Sequence, residues 1–331
     1  MKKLFKLILK DIKAETMFFS FKSALLVLAL TIVFYGCKKD KKEGGDTETP
    51  PEEVVDNVIE PLTKKIMDNS TVIGTFISDE TGSVTAGIKV TRLAFLRKDK
   101  LPVSIFIMEA DMKTPKLEIQ ALAPYNDYIN GLQRLSEMCR DNEIPGTNIV
   151  AAVNGDTFTT TGAPSSLFYI NNRVYLGTVA TGRTFFAALN DGTIAIGGKD
   201  TKGVERPVDK AQVKNAVGGN QWLVDNNVKA TLTDATITAR TAIGYNTSKV
   251  IYAVIVDGSQ AAYSNGLTLI DLRDVMAALG VKDAVNLDGG ASSTLVSKDI
   301  TTGKWFVLNR PAMALNTERL IGNGIGFVLK N

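Results

Sequence analysis

The chain has 331 residues, 44% hydrophobic and 22% charged, enough to bury a core in one large domain or two ordinary ones. Its formal charge of +3 resides in the first 36 residues, where six Lys face two acids; from Cys37 onward 32 basic residues stand against 33 acidic ones, which leaves no extended basic face and sets nucleic acid aside as a partner. Histidine is absent, which removes Ser-His-Asp and Cys-His nucleophile systems and imidazole zinc sites, and leaves acid-base work to Asp, Glu, Lys or Tyr.

Residues 23–35 form an uncharged apolar run preceded by Lys22. It is long enough for a signal-peptide core and short of the about 20 residues that a membrane span needs. The run ends in Phe34-Tyr35-Gly36-Cys37, which resembles a bacterial lipoprotein box with Phe34 in place of the usual Leu. The expectation is a lipoprotein signal over 1–36, lipidation at Cys37, and attachment through that lipid to a membrane of the cell envelope, periplasmic or surface-exposed. With Cys37 modified, Cys139 has no disulfide partner and reads as a small core residue. Residues 38–53, KKDKKEGGDTETPPEE, carry charge without apolar periodicity and predict a flexible tether, assigned to 37–56. One folded domain is expected over 57–331.

Within that domain residues 54–67 predict a short helix broken by Pro61. Strands are predicted over 72–77 and 88–96 with Gly82 between them, then over 103–108 and 116–122 on either side of a polar turn around Lys113-Thr114-Pro115. Leu132, Leu135, Met138 and Cys139 recur at helical spacing, which predicts a helix over 131–142. Residues 149–153 are a buried-type strand. Asn171-Asn172 and Asn190-Asp191-Gly192 each mark a hairpin. Residues 197–235 offer only Trp222-Leu223-Val224 as a strand. Residues 241–245 and 250–256 form a strand pair, 269–279 a helix ended by Gly280, 281–287 a strand, 297–308 a hairpin, and 324–329 the last strand. Many hairpin-linked strands with few helices predict an α+β fold: a largely antiparallel mixed sheet with a few packed helices, in a single domain.

Three apolar runs stop at a polar residue beside glycine: Asn154-Gly155-Asp156, Asp257-Gly258, and Asn286-Leu287-Asp288-Gly289-Gly290 followed by Ala291-Ser292-Ser293-Thr294. Glycine there lets the backbone turn sharply and leaves N–H groups open to a ligand. A lone Asp-Gly pair is an ordinary turn, and Asp191-Gly192 is read as one. The set is more specific. VNGDTF at 153–158, GGNQWLV at 218–224, ARTAIGY at 239–245, VDGS at 256–259 with SNGLTL at 264–269, NLDGGASSTLV at 286–296 and RLIGNGIG at 319–326 occur in this order. The series resembles the phosphodiester glycosidase family, that of the lysosomal uncovering enzyme and of bacterial exopolysaccharide-related proteins. It departs at Gln260, where Arg is expected, and at Gly324, where Ala is usual.

The resemblance implies cleavage of a sugar C1–O bond whose other side is a phosphodiester, with a glycan or sugar phosphate as partner. Phosphate is already a good leaving group, so the chemistry needs a cationic clamp, a carboxylate acting on C1 or on water, and donors that fix the sugar. Arg240 is the expected clamp, because guanidinium binds phosphate in a bidentate fork. Asp288 and Asp156 are the expected catalytic carboxylates. Asn154, Gly155, Asp257, Gly289, Gly290, Ser292, Ser293, Arg319 and Asn323 are the expected substrate contacts, with Asn286 beside them. No cofactor is required, although the Asp and Asn side chains suit a Ca²⁺ or Mg²⁺ ion. The alternative is a glycan-binding or envelope-organising lipoprotein that kept the fold without the chemistry.

Overall fold

Residues 88–96, IKVTRLAFL, are β-branched and aromatic throughout and form strand β2 (Ile88–Leu96), paired on one side with β1 (Thr75–Thr85) and on the other with β3 (Pro102–Asp111). The computed structural model describes residues 58–127 and 130–330; the expected signal segment, Cys37 and the tether lie outside them. Residues 59–331 make one compact unit.

The strands form three sheets rather than one. An eight-stranded sheet has the spatial order β1, β2, β3, β15 (Val250–Val256), β14 (Arg240–Tyr245), β16 (Asp283–Asn286), β12 (Trp222–Asp225), β13 (Val228–Lys229). A six-stranded sheet runs β10 (Glu205–Arg206), β9 (Ile194–Lys199), β8 (Thr184–Leu189), β11 (Val213–Gly219), β6 (Phe168–Ile170), β7 (Arg173–Leu176). A five-stranded sheet runs β18 (Trp305–Val307), β17 (Leu295–Lys298), β5 (Thr147–Asn154), β19 (Gly324–Lys330), β4 (Leu117–Leu122). Every strand pair among the described residues is antiparallel.

Side-chain alternation then places the layers. In β3, Val103, Ile105 and Ile107 pack with helix α1 (Pro61–Asn69) and helix α3 (Leu269–Ala278), while Phe106 and Met108 face the other two sheets. In β15, Val254 and Val256 point to the helices and Ala253 and Ile255 to the sheets. The large sheet is therefore the middle layer, buried on both faces. Helix α2 (Leu135–Asn142) covers the outer face of the five-stranded sheet, with Cys139 buried among Leu122, Leu135 and Met138. Fully burying one such side chain contributes about 1.5–3 kcal/mol.

Several boundaries differ from the sequence reading. Pro61 opens α1 instead of breaking it, since the missing N–H costs nothing at the first helical position. Gly82 lies inside β1, and the turn falls at Gly87, whose φ is 79°. Residues 197–235 hold β10, β11 and β13 besides β12; β11 reads VKNAVGG, too short of apolar residues to announce a strand. The hairpin asparagines Asn171 and Asn172 adopt φ of 48° and 67°, as a two-residue turn of this type requires. Helix α3 begins with a reciprocal cap between Thr268 and Asp271 and ends before Gly280 at φ 71°.

Candidate active site

The C-terminal ends of β5 and β16 and the N-terminal ends of β17 and β19 are stitched together through side-chain amides. Asn154 accepts from the Thr241 hydroxyl at 2.9 Å and from the Thr294 N–H at 3.1 Å, and its Nδ2 donates to the Asp288 carbonyl at 2.8 Å. Asn323 accepts from the Asp156 N–H at 2.6 Å, and its Nδ2 donates to the Asp156 carbonyl at 3.3 Å. The Asp288 N–H donates to the Gly155 carbonyl at 3.0 Å, and Gly290 donates to Ala239 at 2.8 Å. Asn154 and Asn323, expected as sugar contacts, thus spend these groups holding the backbone. Gly155 is required by the same packing, because a Cβ there would stand 2.2 Å from Asn323 Oδ1.

This stitching carries the two carboxylates. Asp156 is 1% exposed; its Oδ1 accepts from the Thr157 N–H at 2.7 Å and from the Arg183 guanidinium. Its Oδ2 is buried without a partner, and so is the Nε of Arg183. Gly218 makes room for that oxygen, since a Cβ there would lie 2.3 Å from it. Burial raises the Asp156 carboxyl; Arg183 and the Thr157 bonds pull it back, the Asp288 charge raises it again, and it stands at about 6. Burial also raises Asp288 above the ordinary carboxylate value, against the lowering effects of the Ser292 hydroxyl, Arg319, the Gly289 N–H and Arg183.

Arg183 thus acts on both carboxylates, and sequence reasoning passed over it. It lies in a TGR stretch just before β8, with no apolar pattern to single it out. Arg319 donates to Ser292 Oγ at 2.9 Å, and its guanidinium lies over the Phe158 ring at 5.1 Å from the centroid. Ser292 and Arg319 therefore sit at Asp288. The Ser293 hydroxyl lies 3.1 Å from Thr241 Oγ1, and its carbonyl accepts from Asn309, a scaffolding position. Asn286 is buried in β16 with its Oδ1 unpartnered.

Arg240 stands elsewhere. It shares the helix-covered face of β14 with Ala242, opposite Thr241 and Ile243. Its guanidinium is held by Asp234 at 3.1 Å and by the carbonyls of Thr236 and Leu267 at 2.6 and 3.2 Å. The structure makes it an anchor for the segment before β14 rather than a clamp. Asp257 is likewise taken up: it accepts from Asn309 at 2.8 Å, Tyr263 at 2.9 Å and the Arg310 N–H at 2.9 Å. Burial nonetheless leaves its carboxyl raised. Gln260 donates to the Arg310 carbonyl at 2.8 Å, and Glu318 accepts from the Ser136 N–H at 2.9 Å at the start of α2. Among the described residues no three His, Cys, Asp or Glu side chains group as metal ligands, and no helix is long and apolar enough to cross a membrane.

The family model described as phosphodiester glycosidase matches residues 147–328, which include both carboxylates, Arg183 and Arg319. No curated protein matches the chain. The fold is similar to the catalytic domain of zebrafish N-acetylglucosamine-1-phosphodiester alpha-N-acetylglucosaminidase auto-inhibited by its pro-peptide, at 17% identity and a TM-score of 0.55, covering 76% of this chain and 88% of that one. It is also similar to a hypothetical protein from Synechocystis, at 13% identity and a TM-score of 0.57, covering 77% of this chain and 64% of that one.

Proposed function

Because the chain belongs to the phosphodiester glycosidase family, we propose that it hydrolyses the bond between a sugar C1 and the phosphodiester oxygen attached to it. The observation that carries this reading is the pair of buried polar atoms left without partners, Asp156 Oδ2 and Arg183 Nε, beside a second, half-buried carboxylate, Asp288. An orphaned buried group costs about 1–3 kcal/mol, and a substrate that supplies the partners removes that cost.

In the proposed reaction Arg183 and Arg319 bind the phosphodiester, and Asp288 stabilises the positive charge that grows at C1. The C1–O bond breaks and its electron pair leaves on phosphate. Water oxygen bonds to C1, and Asp156 takes the proton that water loses. A carboxyl near 6 is ionised at neutral pH yet more basic than an ordinary aspartate, which suits a general base. The products are the free sugar and a phosphate monoester. The test incubates the full chain with an N-acetylglucosamine-1-phosphodiester and follows released sugar by NMR. Turnover is expected for wild type and a loss of about 10²-fold for Arg319→Ala; inactivity of wild type across a panel of sugar phosphodiesters would leave a glycan-binding protein instead.

Anchoring in the cell envelope is proposed on the leader and the cysteine of the Phe34–Cys37 box alone. Wild type should partition into detergent with a mass increase at Cys37, and Cys37→Ser should move to the aqueous phase. A wild type that stays aqueous rules out the anchor.

A further inference from the structure

The segment between β7 and β8, residues 177–183, and the segment running from the end of β9 through β10 to residue 210 wall a cavity of 460 Å³. That size lies in the range of small-molecule sites. Arg183, which holds Asp156, also lines the cavity and is its link to the carboxylate pair. One side is apolar: Val179 and Val208 pack there on the buried Phe185 of β8. The remainder carries Lys199, Arg206 and Lys210 against one acid, Glu205.

Those cations differ in what already occupies them. Arg206 is fixed by Asp225 at 2.7 Å and Asp283 at 2.9 Å, with its guanidinium 4.8 Å above the Trp222 ring. Lys210 donates to the Gly177 carbonyl at 2.9 Å, a neutral partner that leaves its charge uncompensated. The Lys199 backbone is pinned, because its carbonyl accepts from the Trp222 indole at 2.6 Å, while its ammonium reaches no acceptor among the described residues. Two ammoniums without a carboxylate hydrogen bond, Lys210 and a Lys199 whose cross-strand neighbour is Glu205, therefore flank an apolar wall, next to the guanidinium assigned to the phosphodiester.

We infer that this cavity is the subsite for the leaving-group side of the substrate, and that it takes a leaving group bearing a second anionic group on a short, partly apolar spacer. The inference rests on the proposed hydrolysis for its orientation: phosphate on Arg183 directs whatever is esterified to it into the space walled by residues 177–183 and 199–210. A repeating phosphodiester-linked polymer has this chemistry, and so does any aglycone with a carboxylate or phosphate one spacer away. The charges stand near solvent, so the preference is electrostatic, moderate and salt-dependent.

The test compares kcat/KM of the full chain on two substrates with the same sugar, its 1-phosphomethyl diester and its 1-phosphoglycerol diester carrying a terminal phosphate. Wild type should favour the second by about tenfold at low ionic strength, with the preference shrinking as salt is added. Lys199→Glu should abolish the preference and leave the methyl diester rate unchanged. Equal rates on both substrates for wild type, or a variant that slows both alike, would overturn the subsite. Should wild type cleave neither, the hydrolase reading fails and the subsite is decided by binding alone. Glycerol 3-phosphate should then shift the amide resonances of residues 177–210 in wild type and not in Lys199→Glu, and an absence of shifts in wild type rejects it.

Discussion

Replacing Asp288 by asparagine should lower sugar release about 10³-fold while the chain keeps its circular dichroism and melting temperature, and Asp156→Asn should do the same. Both substitutions preserve shape, so what is lost is charge at C1 in one case and a proton acceptor in the other. The two are coupled, and the coupling has a sign. The Asp288 charge raises the Asp156 carboxyl, so the Asp288→Asn protein should show Asp156 titrating below about 6 in a ¹³C carboxyl spectrum. In wild type the activity should fall as pH drops through about 6, a limb that belongs to the pair rather than to one residue. An acid limb that stays at the same pH in Asp156→Asn would remove that residue from the proton transfer.

Replacing Asp283 by alanine should destabilise the protein by about 3–5 kcal/mol in chemical denaturation. Asp283 has no exposed surface, and three groups depend on it: Arg206 at 2.9 Å, the Tyr245 hydroxyl at 2.7 Å and the Asn226 N–H at 2.8 Å. Burial alone would raise its carboxyl, but the bonds from Arg206, Asn226 and Tyr245 outweigh burial and hold it below 3.8. A carboxyl depressed on folding contributes stability that is present above the unfolded value and is lost as pH falls through the folded one. The gap between wild type and Asp283→Ala should therefore narrow in acid below pH 3.8. A variant as stable as wild type at pH 7 would show that the cluster contributes no net stability.

The sequence displayed its strands where apolar runs meet clear turn residues. β2 falls on residues 88–96 as read, and the hairpins at Asn171-Asn172 and Asn190-Asp191-Gly192 are present. β11 stayed hidden because an asparagine and two glycines interrupt its apolar content, although that same bareness lets Asp156 fit against Gly218. The positions of the two carboxylates were legible because each stands two residues beyond the end of a buried strand and beside a glycine. Arg240 was misread for a different reason. β14 is buried on both faces, so its sequence gives no alternation from which to tell which side a residue occupies, and the register alone turns Arg240 toward the helices. Arg183 lies in a stretch without periodicity, so only the folded chain brings it to Asp156. The amides of Asn154 and Asn323 illustrate a further limit: composition shows that a donor exists, and only the structure shows that the backbone has taken it.

The bond from the Asp288 N–H to the Gly155 carbonyl gives the molecule a division of labour. It ties the Asp156 turn, at the end of β5 in the five-stranded sheet, to the Asp288 turn, at the end of β16 in the middle sheet, whereas the cavity wall is built largely from connecting segments of the six-stranded sheet. Segments of that kind lengthen, shorten and change charge at little expense to a core. A lineage built on this plan can exchange the molecules it acts on by rewriting residues 178–182 and 207–210 around a fixed Arg183 and Arg206, and the carboxylate pair need never move.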